Sequence, residues 1–74
     1  MKYTYIKKDN IVVRFKQYKE MREASILTIN GCTYTESTRR FHSKEEGNEF
    51  YKLYINDGFV KATEEDYERI VRGY

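Results

Sequence analysis

Hydrophobic and polar positions change their period along the chain, and the changes divide it into elements. From Lys2 to Ile6, Tyr3 and Tyr5 alternate with Thr4 and Ile6, the two-residue period of a strand. Lys7-Lys8-Asp9-Asn10 is a polar turn. Ile11 to Lys16 alternates again. Ile11, Val13 and Phe15 point one way and Val12, Arg14 and Lys16 the other, which predicts one buried and one solvated face. The two runs read as an N-terminal hairpin. Gln17 to Ala24 is charged and poor in β-formers, so it reads as a loop or a short helical turn, with Tyr18 and Met21 three residues apart. Ser25 to Ile29 is a third strand and Cys32 to Thr38 a fourth. Asn30-Gly31 joins them, a strong hairpin signal because both residues tolerate positive φ. Arg39 to Lys44 either continues the fourth strand or opens a loop.

The C-terminal third carries the sharpest signals. Thr63 precedes Glu64, Glu65 and Asp66: a hydroxyl at the N-cap, a carboxylate three residues on, and three acids at the positive end of the helix dipole. Tyr67, Ile70, Val71 and Tyr74 then share one helical face, Glu65 and Arg69 form an i, i+4 pair, and Gly73 marks the stop. The helix is expected from about Glu64 to Arg72. Before it, Phe50 to Ile55 and Phe59 to Ala62 flank Asn56-Asp57-Gly58 and read as a hairpin. A rival reading makes a helix from about Lys44, capped by Ser43 with Glu46, carrying Phe50, Leu53 and Tyr54 and ending at Gly58. The density of Tyr, Phe and Ile, and a Gly47-Asn48 interruption, favour the strand.

The sum is an α+β chain: a small antiparallel sheet of about five or six strands, built from hairpins in a meander, with one C-terminal helix. One helix covers one face, so the other face is curled into a partial barrel, left wet, or buried in a partner. The 74 residues make one domain. A chain this short buries about 60% of its unfolded surface, so its stability margin is thin.

Composition shifts the picture toward surfaces. The chain has eight tyrosines and four phenylalanines, and no proline or tryptophan. That is more tyrosine than a small core hides, with Tyr18, Tyr34, Tyr51, Tyr54 and Tyr74 in excess, and Tyr and Arg favour the centres of protein interfaces. A net charge of +2 neither demands nor excludes nucleic acid. The single cysteine, Cys32, cannot close an internal disulfide and suits a reducing cytoplasm. No apolar run spans a membrane, and neither a signal-peptide core nor a lipidation box is present. Heavy use of Lys, Tyr, Ile, Asn and Glu points to A/T-rich codons and to a bacterial or bacteriophage genome.

Little in the sequence suggests catalysis, cofactor binding or a metal. Cys32 and His42 are the one available nucleophile–base pair, with no third orienting residue. One His and one Cys do not make a metal site. The acids at Glu64 to Asp66 serve the cap, and the four glycines form no phosphate cradle. Two basic–aromatic groups remain. Arg39, Arg40, Phe41, His42 and Lys44 form the most basic run, weakened by Glu45, Glu46 and Glu49. Tyr3, Tyr5, Lys7, Lys8, Arg14 and Lys16 lie in one hairpin, and if Arg14 and Lys16 stand opposite Tyr3 and Tyr5 they form one patch. No RNA-recognition, cold-shock or helix-turn-helix pattern occurs. The expectation is a cytoplasmic, non-enzymatic regulator or inhibitor with a protein partner. A single-stranded nucleic-acid binder is the alternative, and a homodimer through the uncovered sheet face is compatible with the first.

Overall fold

The computed structural model describes residues 2–18 and 21–73, without the side chains of Tyr18 and Met21. Strands β1 (Lys2–Lys8), β2 (Ile11–Tyr18), β3 (Met21–Asn30) and β4 (Thr33–Phe41) form an antiparallel meander. Helix α1 (Lys44–Asn56) follows, then the short strand β5 (Val60–Lys61) and helix α2 (Glu64–Val71). The sheet order is β4-β3-β2-β1-β5. The broad α+β expectation holds. The sheet stays open with β4 and β5 at its edges, so the barrel alternative is overturned.

The largest correction is α1. Ser43 accepts a hydrogen bond from the Glu46 N–H (3.2 Å), and the segment expected as a strand is helical. The glycine that argued against a helix has a place in this one. A Cβ at Gly47 would lie 2.6 Å from Arg22 Cδ and 3.0 Å from its Cβ, so the Arg22 stem lies against the helix backbone there. Phe50, Tyr51 and Tyr54 pack against Phe15, and Tyr54 also against Phe59. Leu53, grouped with Phe50 and Tyr54 on the rival helical face, is 67% exposed. Freed from pairing with 50–55, β5 adds to β1 instead, with Ile6 opposite Lys61 and Lys7 opposite Val60.

The two helices cover opposite faces of the sheet. Ile6, Val13, Phe15, Ala24 and Phe41 form the α1-side core, with Phe59 from the β5 approach. Val12 and Leu27 meet Tyr67 and Ile70 of α2 on the other side. The expectation of one solvated face for β2 is therefore wrong at Val12, which is only 6% exposed. The charged stretch 17–24 also differs from its expectation: 17–18 and 21–24 are strand, with Lys16 opposite Glu23 and Gln17 opposite Arg22. Lys16 and Glu23 are unlike charges across the ladder, and Arg22 donates to Gln17 Oε1 at 2.8 Å, which together offset the weak β-propensity of these residues. Lys19 and Glu20 lie outside the described residues.

α2 matches its sequence signals. Thr63 and Asp66 make a reciprocal capping box, and Gly73 takes φ 111 at the stop. Tyr67 and Ile70 are buried, whereas Val71 is 43% exposed. Tyr74 lies outside the described residues. At the β3–β4 turn, Gly31 has φ 64 and Cys32 does not have positive φ. The two-residue loop is thus Gly31-Cys32, one position later than expected, with glycine first as in type II′ turns.

Candidate functional site

Strand register settles the N-terminal patch. Tyr3 stands opposite Lys16 and Tyr5 opposite Arg14. Continuing across β3 and β4 on the same face, Lys16 faces Glu23 and Glu23 faces Arg40. One row therefore reads Tyr3, Lys16, Glu23, Arg40. The next reads Tyr5, Arg14, Ser25, Thr38, and the third Lys7, Val12, Leu27, Glu36. α2 packs over Val12 and Leu27 of the third row, and Tyr5 packs against that core. Alternation sends Arg39 and Phe41 to the opposite face from Arg40. Phe41 is 1% exposed, so it is core and offers no ring to a ligand. His42 and Lys44 are exposed, beyond the end of β4 and at the start of α1. The nine candidate residues thus do not form one surface: Tyr3, Tyr5, Arg14, Lys16 and Arg40 share a face, and the other four do not join it.

The cations of this face are engaged within the protein. The Arg14 guanidinium carbon sits 5.0 Å from the Tyr3 ring centroid and 4.4 Å from that of Tyr67, and Nε of Arg14 is buried without a hydrogen-bond partner. Arg14 is thereby a packed layer between two rings, where cation–π attraction contributes about 0.5–2 kcal/mol. Arg40 Nε bonds Glu23 Oε2 at 3.1 Å. On the other face, Arg39 lies 4.9 Å from the Phe50 ring and 5.7 Å from that of Phe41. Burial pushes the Tyr67 hydroxyl above its ordinary pKa, with Arg14 opposing the shift; that hydroxyl donates to Glu36 Oε2 at 3.4 Å. Burial first, and then Glu64, raise Tyr5 in the same direction. Glu23 and Glu36 were not among the candidate residues, and Tyr67 was expected on the α2 face without a place in the patch. The 17–24 loop assignment hid Glu23, although its parity with Lys16 was a usable signal.

The tyrosine excess is smaller than expected, since Tyr51 and Tyr54 pack against the α1-side core. Tyr34 remains exposed on β4, and Tyr18 and Tyr74 side chains are not described. Cys32 and His42 sit at opposite ends of β4, about 30 Å apart at roughly 3.3 Å per residue. Among the described residues, no group of three or more His, Cys, Asp or Glu side chains is placed to hold a metal, and no helix is long and apolar enough to cross a membrane.

The remaining feature is β4 itself. It has one sheet neighbour along nine residues, and residues 33–40 are all exposed. The opposite edge, β5, has only two residues. Because the β3–β4 loop has two residues, Asn30 and Thr33 form a hydrogen-bonded pair, and alternate pairs follow suit. Thr33, Thr35, Ser37 and Arg39 therefore bond β3, while Tyr34, Glu36, Thr38 and Arg40 turn their N–H and C=O groups outward.

No protein-family model matches the chain, and no curated protein or solved structure matches it. The fold and surface define only a class: an open α+β domain with a helix on each face and one long free sheet edge.

Proposed function

We propose that this chain is a non-enzymatic protein-binding module, a cytoplasmic regulator or inhibitor that acts by occupying a partner's surface through β4. The observation that carries this reading is the length and exposure of that edge. A row of unpaired backbone groups is a template for an added strand, and extended segments of other proteins dock in this way. Proteins blunt such edges with charged side chains, lysine above all, with proline or bulges, or with a covering element. β4 contains neither proline nor lysine, its charged residues Glu36, Arg39 and Arg40 are of both signs, and both helices lie over the faces.

The test is selection from a displayed random-peptide library on the immobilised protein. Extended, β-prone peptides should be enriched, and binding should be lost in Thr38→Pro. That substitution removes an outward N–H that β3 does not use, and edge strands tolerate proline there. Failure to enrich any peptide, or full binding by Thr38→Pro, contradicts the reading.

The register of Tyr3 and Tyr5 opposite Lys16 and Arg14 favours a second reading, single-stranded nucleic-acid binding on that face. Against it, Arg14 and Arg39 stack on the protein's own rings and Arg40 is paired with Glu23. Fluorescence anisotropy with labelled oligonucleotides decides the matter: this second reading requires affinity that falls steeply with salt.

A further inference from the structure

The β4 edge is complementary to itself, and we infer that the occupant it selects is the β4 edge of a second copy of this chain. The inference rests on the reading of β4 as an interaction edge. Two identical strands paired antiparallel are related by a twofold axis normal to the sheet, so like faces stay together and residues of the same parity pair. The outward backbone groups belong to Tyr34, Glu36, Thr38 and Arg40. With the axis at Thr38, Thr38 meets Thr38 of the second copy, and Glu36 meets Arg40 in both directions. Both pairs are of the hydrogen-bonded kind. On the other face Ser37 meets Arg39.

Charge supports this register. Within one copy the first row runs Lys16, Glu23, Arg40, alternating in sign toward the edge. Placing Glu36 of the second copy beside Arg40 continues the alternation across the seam. Charge protects an edge against its own copy where pairing brings like signs together. β4 carries both signs at positions that meet in an antiparallel dimer. Moving the axis to Glu36 puts Glu36 against Glu36, so the register is selected by charge as well as by backbone parity. The product is a continuous ten-stranded sheet with the β5 strands at its outer edges. A single-strand seam is a small interface, so association belongs in roughly the micromolar-to-millimolar range.

Sedimentation equilibrium across that range tests the proposal. The wild type is expected to dimerise reversibly, and Thr38→Pro to stay monomeric with an unchanged circular dichroism spectrum. Glu36→Arg and Arg40→Glu each bring like charges together at both pairs, so each alone should dimerise at least about tenfold more weakly. Mixed in equal amounts, they restore both unlike pairs and should associate as a heterodimer near wild-type strength. That recovery also shows that both variants fold. A wild type monomeric up to roughly 1 mM overturns the inference, and so does a mixture that does not recover. Neither result touches strand addition by another protein, which the peptide selection decides. Dimerisation that persists in Thr38→Pro places the seam elsewhere and overturns it too.

Discussion

Gly47 shows how one residue misleads and then explains. Alone it costs a helix about 1 kcal/mol relative to alanine, so the sequence argues against α1. Arg22, brought under the helix by β3, occupies the space a side chain would need. Its Cβ belongs to the stem and cannot swing aside, so Gly47→Ala should destabilise the protein by about 1–2 kcal/mol despite the better helix propensity. Arg22→Ala removes the Cδ and Cγ contacts and keeps only the Cβ at 3.0 Å, so in that background the cost of Gly47→Ala should shrink. Urea denaturation of the four variants in a double-mutant cycle checks this. Asp66 gives a pH prediction. The Thr63 backbone N–H, donating at 2.9 Å, holds its carboxyl below the ordinary 3.8, with Lys7 adding to the effect. A depressed folded pKa stabilises above the unfolded value and is lost as pH falls through the folded one. Stability of the wild type should therefore drop below about pH 4, and Asp66→Asn should flatten that limb in thermal melts at pH 2–5.

At the scale of elements, legibility followed local signals. The meander, the α2 cap and the face alternation of β2 depend on neighbours in sequence, and all are present. What failed depended on partners across a turn or across the fold. The 50–55 segment has enough aromatic residues for either structure. Phe15, on another strand, decides it by taking Phe50, Tyr51 and Tyr54 on one helical face. The 17–24 stretch is strand because Arg22 and Glu23 face Gln17 and Lys16. The candidate surface was half legible for the same reason: alternation within β4 separates Arg39 from Arg40, while register brings Arg40 beside Glu23 and Lys16. Thr63→Ala, which removes the hydroxyl of the α2 cap, should cost about 1 kcal/mol in denaturant unfolding.

Over the whole molecule, one sheet is shared by two cores. Val13 and Phe15 face α1 while Val12, next to Val13 in the same strand, faces α2, so neither layer can separate without exposing the back of the other. Unfolding should therefore be a single transition. Ile70→Val on the α2 side and Phe41→Leu on the α1 side should each lower stability by about 1 kcal/mol. Both should move tyrosine fluorescence and far-ultraviolet circular dichroism together; separated transitions in either variant would contradict the shared-sheet account. With a helix on each face and β5 reduced to two residues, β4 is the longest strand without a second sheet neighbour among the described residues.

The most direct measurement of that claim is amide hydrogen exchange along β4, read residue by residue by NMR at increasing protein concentration. At high dilution Thr35, Ser37 and Arg39 should exchange slowly and Glu36, Thr38 and Arg40 quickly. As the edge fills, the second set should become protected while the first stays unchanged. Protection of Glu36, Thr38 and Arg40 already at high dilution would mean that the edge is covered within one chain, and would contradict the account.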